Sequence, residues 1–211
     1  MIYIIDYGMG NLKSVENSFV SQNIQVKITD NKNFMTDKGL TGIVLPGVGS
    51  FKTAYNNLKN SDLILPIKDA IAQDIPFLGI CLGYQLLFSY SDEEGGSKGL
   101  NIFKGNVISF KNVVKIPHMG WNQIEIINEN KFLKDIENNS FVYFVHSFYP
   151  TLDSNEDQNI IATKTEYDEK FISAVSKNNL FASQYHPEKS QVIGAKIIKN
   201  FGVTCENYTC N

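Results

Sequence analysis

Arginine is absent. All 19 basic residues of the 211-residue chain are lysine, set against 22 acidic residues for a formal charge of −3. Without guanidinium groups there is no bidentate reading of bases or phosphates, and the lysines are scattered, so no nucleic-acid partner is expected. Long apolar runs are missing too: none reaches the ~18–20 residues of a membrane-spanning helix. The chain opens on MIYIID, strand-like and with no basic stretch before it, so the expectation is a cytoplasmic protein without membrane contact. Cysteine is scarce. Cys81, Cys205 and Cys210 cannot all pair within one chain, which argues against a disulfide framework. Cys205 and Cys210 stand in the polar segment TCENYTCN, which lacks further metal ligands, and read as tail thiols. No metal and no cofactor is expected. What is present is globular: 43% hydrophobic against 19% charged residues, in a length sufficient for one domain with a proper core.

The first ninety residues alternate strand and helix signals. Strands are expected at 2–6, 24–29, 42–45 and 76–80. A helix capped by Asn11 would place Leu12, Val15 and Phe19 on one face. Further helices are expected at 51–59, at 62–73 (where Pro66 is a potential break) and at 82–90. Such alternation implies an α/β fold with a mostly parallel central sheet and flanking helices. After SDEEGGSKG the texture changes to short β-like runs at 105–110, 122–127, 141–149, 159–164, 171–176 and 180–185. A short helix near 131–136 and a last helix at 188–201 complete the pattern. No repeat, linker or boundary divides the chain, so one domain over 1–211 with a β-rich second half is expected.

Gly79-Ile80-Cys81-Leu82-Gly83 joins an apolar strand to a helix in the G-x-nucleophile-x-G form. A sharp strand-to-helix turn strains the nucleophile's backbone and needs small neighbours. It sets the thiol at a helix start and aims the Leu82 N–H at a developing oxyanion. The competing reading is a buried structural cysteine between two turn glycines. Three histidines could serve a thiol as base. His118 lies in the segment KIPHMGWN with no acid nearby, and His146 ends an apolar run. His186 is followed by Pro187 and Glu188, and Glu188 is placed to orient an imidazole. Spacing favours His186 without excluding the other two. Pro46-Gly47-Val48-Gly49 follows a strand and reads either as a second oxyanion wall or as an ordinary β-to-α turn.

The segments LPGVGSF, GICLGYQLLF, PHMGWN, YFVHSFY and QYHPEKS, in that order, resemble the class I glutamine amidotransferases. DYGMGNLKSV and PHMGWN resemble in particular the glutaminase subunits of imidazole glycerol phosphate synthases. The resemblance implies that Cys81 is the nucleophile, His186 the base and Glu188 the orienting acid. It implies oxyanion roles for Gly47, Val48 and Gly49, and glutamine contacts from Gln85 and the backbone of His146, Ser147 and Phe148. It implies that Asn11, Trp121, Tyr143 and Lys189 face a partner. Two departures stand out: GLNIFKG at 99–105 where such subunits commonly read GLGLIPG, and Tyr84 and Tyr185 beside the nucleophile and the base.

The implied chemistry is acyl transfer: glutamine to glutamate and ammonia through a Cys81 thioester, with no metal. A (β/α)₈-barrel acceptor needs about 250 residues of its own, so the implied partner is a separate cyclase/synthase subunit, in a heterodimer. Together they would make imidazole glycerol phosphate and AICAR in histidine biosynthesis. Two other readings stand beside this one: the same glutaminase chemistry serving another amidating enzyme, for instance in surface-sugar synthesis, and a non-enzymatic module that activates a partner.

Overall fold

The computed structural model describes residues 1–111 and 115–208. The chain begins β1 (Ile2–Ile5), α1 (Leu12–Val20), β2 (Val26–Thr29), β3 (Gly42–Leu45), α2 (Phe51–Asn60), α3 (Ile64–Ala72), β4 (Phe77–Ile80) and α4 (Leu82–Gln85). It continues β5 (Phe88–Ser91), β6 (Ser97–Lys98), β7 (Phe103–Ser109), β8 (His118–Ile126), β9 (Ser140–His146) and β10 (Phe148–Pro150). β11 (Ile161–Tyr167), β12 (Glu169–Lys177), β13 (Leu180–Ser183) and α5 (Gln191–Glu206) complete it.

Nine strands form one sheet in the order β2-β1-β3-β4-β13-β12-β11-β8-β9. The strands from β2 to β13 run parallel, as the early alternation predicts, and those from β13 to β9 pair antiparallel, so the sheet is mixed. β10, β7, β5 and β6 make a smaller second sheet. β1, β3, β4 and β13 are buried throughout because helices cover both faces. Period-two alternation sends Ile5, Leu45 and Phe77 to one face, under Phe51, Leu58 and Ile67 of α2 and α3. Ile4, Val44 and Leu78 go to the other, against Phe19 of α1 and Ile197 and Phe201 of α5.

Several elements differ from the sequence expectation. The helix expected at 82–90 lasts one turn and gives way to β5. The carbonyls of Leu86, Leu87 and Phe88 that would continue it receive the N–H groups of Leu100, Ile102 and Asn101, so tertiary pairing overrides local propensity. Pro66 neither breaks nor kinks α3: it sits in the first turn, where its missing N–H leaves no intrahelical bond unmade. The run at 141–149 splits into β9 and β10, and residues 131–133 make only a 3₁₀ turn. Cys205 is not a tail thiol. α5 extends to Glu206 and buries it against Gly42, where a Cβ would come within 2.4 Å of its sulfur. Burial pushes its thiol well above the usual range, which keeps it unreactive. Cys210 lies outside the described residues.

Candidate active site

β4 delivers Cys81 into a tight turn. Its φ of 53° and ψ of −104° are strained for a residue with a side chain, a cost of about 1–3 kcal/mol that the surroundings must hold. They do so on both sides. The Cys81 N–H donates to the Ser183 carbonyl at 2.8 Å, and its own carbonyl accepts from Tyr84 and Gln85, each at 3.1 Å. The flanking glycines are required by contact: a Cβ on Gly83 would lie 1.8 Å from the Leu45 carbonyl oxygen, and one on Gly79 2.9 Å from the Ala182 methyl. Because α4 is a single turn, no long helix dipole stands behind the thiol.

β13, the neighbour of β4, delivers the base. His186 Nδ1 lies 2.7 Å from Glu188 Oε1, both side chains almost fully buried. Nε2, the other ring nitrogen, has no conventional hydrogen-bond partner among the described residues and is within electrostatic reach of the Cys81 sulfur. Burial alone would pull the imidazole down. The Cys81 sulfur and then Glu188 outweigh burial and hold it up at about 10, so the imidazole is favoured in its protonated form here. The turn is stapled to β9: the His186 N–H donates to the Tyr143 carbonyl at 3.0 Å, and Ser190 Oγ donates to the His186 carbonyl while accepting from the Tyr143 N–H.

Cys81 opens into a cleft of ≈ 380 Å³ whose walls include Val48, Gly49, Leu82, Gln85, Ser147 and Phe148. Gly47 stands just behind, and its carbonyl accepts the Leu82 N–H at 3.3 Å. The buried Tyr7 hydroxyl donates to the adjacent Pro46 carbonyl at 2.7 Å. Glu93, at the same wall, accepts the Phe51 N–H at 2.7 Å, and burial raises its carboxyl against that bond. Tyr7 lies in the segment DYGMGNLKSV and Glu93 in SDEEGGSKG, but neither segment signals a place at this cleft; each residue reaches it through strand order and loop packing.

Trp121 lies in β8, 46% exposed, so it is not a core residue. Its ring meets Tyr143 edge-on at 6.1 Å, and Lys189 Nζ stands 5.8 Å from the Tyr143 ring centre. Asn11 is exposed, and its side chain accepts the Ser14 N–H as the cap of α1, a helix that packs against the turn carrying Lys189.

His118 and His146, the other candidate bases, are engaged with each other. They oppose in register across β8 and β9, with Nδ1 of His118 and Nε2 of His146 3.0 Å apart. Burial pulls both rings down, to about 4 for His118 and about 3 for His146. Unfolded, the same rings take up protons around their ordinary value of 6.5. Their contribution to stability is therefore complete above that pH and is lost as pH falls towards 4. His186 has the opposite sign: its raised value contributes fully below pH 6.5 and is lost as pH rises through about 10. Between about pH 6.5 and 5.5 the buried pair wins, and unfolding free energy is expected to fall by about 1–2 kcal/mol. Urea titrations across that interval check it, with His118→Phe expected to remove about half of the drop. A flat wild-type profile would mean that the folded rings are already charged.

A strained thiol at the end of a parallel strand, a buried imidazole–carboxylate pair beside it and an adjoining cleft can perform thiol-based acyl transfer. Residues 3–205 match the family model described as glutamine amidotransferase class-I. The chain belongs to that family. Over 207 residues it is 48% identical to the imidazole glycerol phosphate synthase subunit HisH of Methanocaldococcus jannaschii, spanning 95% of this chain and 98% of that one. The HisH subunit of Aquifex aeolicus is 43% identical over 206 residues, 98% of each chain. Among solved structures, the fold matches the glutaminase domain of Trypanosoma brucei CTPS with a TM-score of 0.65 at 15% identity, covering all of this chain and 95% of that one. Another described as a glutamine amidotransferase matches at 0.71 and 13% identity, over 98% of this chain and all of that one. At such identities these two speak to the fold alone. Among the described residues no group of histidine, cysteine and carboxylate side chains could hold a metal, and no helix is long and apolar enough to cross a membrane.

Proposed function

We propose that this chain, as one domain over residues 1–211, is the glutaminase subunit of an imidazole glycerol phosphate synthase. In this reading it acts in histidine biosynthesis in the cytoplasm, paired with a (β/α)₈-barrel synthase subunit. The observation that carries the chemistry is the buried His186–Glu188 pair beside the strained Cys81. The Cys81 thiolate attacks the side-chain amide carbon of glutamine, and the C–N bond breaks as the His186 imidazolium gives its proton to the leaving ammonia. Water then loses a proton to His186 and cleaves the thioester, releasing glutamate and restoring thiolate and imidazolium. Gln85 and the strand edge of His146, Ser147 and Phe148 hold the glutamine. Glu93, the one carboxylate lining the cleft among the described residues, meets its ammonium. Assembly is the test: with its partner, the chain is expected to support product formation from glutamine. Product from ammonium salts but none from glutamine would overturn the reading.

Asn11, Trp121, Tyr143 and Lys189 form the surface on which that partner docks, beside the cleft from which ammonia must leave without meeting water. The staple from Tyr143 to His186 ties this surface to the base. An exposed aromatic on a strand is a common interface anchor, and Trp121→Ala is expected to weaken the complex by at least ~2 kcal/mol. The melting temperature of the free chain should hardly move. Calorimetric titration decides: unchanged affinity would place the docking surface elsewhere.

A further inference from the structure

The proposed reaction gives no part to three buried polar side chains, those of His118, His146 and Gln184. Their protons can be assigned by satisfaction alone. His146 Nδ1 lies 2.8 Å from the Phe148 carbonyl oxygen, which only accepts, so Nδ1 carries the proton and Nε2 is bare. His118 Nδ1, 3.0 Å from that bare nitrogen, must then donate, which leaves His118 Nε2 to accept from Asn122 Nδ2 at 3.2 Å. The Asn122 amide is itself fixed, its nitrogen donating to the Glu166 carbonyl at 2.8 Å and its oxygen accepting the Gln123 N–H at 2.8 Å. Only one tautomer of each ring satisfies all these bonds, and it needs both rings uncharged.

The chain of bonds does not stop at Phe148. The same carbonyl accepts from Gln85 Nε2 at 2.9 Å, and that nitrogen's second proton goes to Gln184 Oε1 at 3.0 Å. Gln184 Nε2, fully buried, then lies 3.7 Å from Cys81 Sγ. Besides the His186 imidazole, the sulfur also lies 3.9 Å from the Val145 carbonyl, which can receive a thiol proton but offers nothing to a thiolate. The Gln184 amide does the reverse. A packing role alone would be met by an apolar side chain, whereas this amide uses both its ends.

We propose that Gln184 holds the Cys81 thiolate by donating to its sulfur, and that His118 and His146 are positioning residues that fix Gln184 through the Phe148 carbonyl and Gln85. The proposal deepens the glutaminase reading, since it concerns the same sulfur. Cys81 then meets substrate with its lone pair already aimed, and the residue that clamps glutamine, Gln85, also sets the donor on the nucleophile. Gln85 and the sulfur are thereby linked by an amide that only the pairing of β4 with β13 brings into place.

The test reads the sulfur directly, with no glutamine and no partner. Alkylation of Cys81 by iodoacetamide is followed by mass spectrometry in the full chain, over about pH 6 to 9. Gln184→Met keeps the length of the side chain and removes the donor. It is expected to slow alkylation near pH 7 by about tenfold, the scale of one hydrogen bond to a charged group, and to recover at higher pH. His118→Phe keeps the ring between Phe144 and Tyr167, on which His118 stacks at 4.7 and 4.0 Å, but removes both nitrogens. It is expected to slow alkylation by about threefold, and His118→Asn, which restores a donor near Nδ1, to recover most of it. A wild-type pH profile in Gln184→Met overturns the proposal. Should that variant fail to fold, an unchanged rate in His118→Phe, or a loss that His118→Asn leaves in place, overturns it instead. Glutamate release by the wild-type chain with its partner judges the glutaminase reading separately.

Discussion

Cys81→Ser is expected to abolish glutamate release from glutamine while leaving the fold and the partner complex in place. A hydroxyl beside His186 lacks the nucleophilicity of a thiolate, and losses of about 10⁴ or more accompany removal of a nucleophile that works as part of a set. Little packing is lost, since serine differs from cysteine by one atom and the turn is fixed by backbone bonds to Ser183, Tyr84 and Gln85. Synthase activity driven by ammonium salts should survive, because free ammonia bypasses the thioester. Paired assays with glutamine and with ammonium chloride make the distinction. Wild-type glutamate release from Cys81→Ser would remove the turn from the chemistry altogether.

The isolated chain is expected to be a poor glutaminase, slower than the assembled enzyme by about 10²–10³, the usual cost of a missing oxyanion donor. The reason lies in the Pro46–Gly49 loop. The Leu82 N–H is already spent on the Gly47 carbonyl, and the buried Tyr7 hydroxyl holds the Pro46 carbonyl next to it. A carbonyl oxygen thus faces the turn where the reaction calls for N–H groups, and a peptide flip in this glycine-bearing loop would reverse that. Steady-state glutamate release by the free chain, and by the complex with the synthase ligand bound, measures the ratio. A free chain at full rate would show that the Gly47–Leu82 bond is no obstacle.

The parts of the site legible in the sequence are those set by local geometry. Gly79 to Gly83 states a strained turn because two Cβ atoms cannot fit there, and His186 to Glu188 needs only two residues of chain. Gln184 opens the segment QYHPEKS, but its role is not legible there, since its amide acquires meaning only when β13 is laid beside β4. The facing of His118 and His146 depends likewise on the register of β8 against β9. In the fold, the parallel half follows from alternating apolar strands and amphipathic helices. The helix expected beyond Gln85 fails because its carbonyls are claimed by residues 100–102, a contact with no local signature. Cys205 is hidden by its polar neighbours, although Ile198, Phe201 and Cys205 recur at helical spacing and lie on one buried face.

β4 and β13 lie side by side, yet Cys81 and Gln184 are 103 residues apart along the chain. On the ribosome, at about 5–20 residues per second, the nucleophile emerges many seconds before its base. Through that interval β4 is an open parallel edge, apolar along its whole length, in what will become the middle of a sheet. The nascent chain is then at its most vulnerable to pairing with a neighbour, and it is catalytically silent because no imidazole has reached the thiol. A product broken off anywhere between Cys81 and Leu180 keeps both the sulfur and the exposed edge, and gains neither the histidine nor the strand that would cover it.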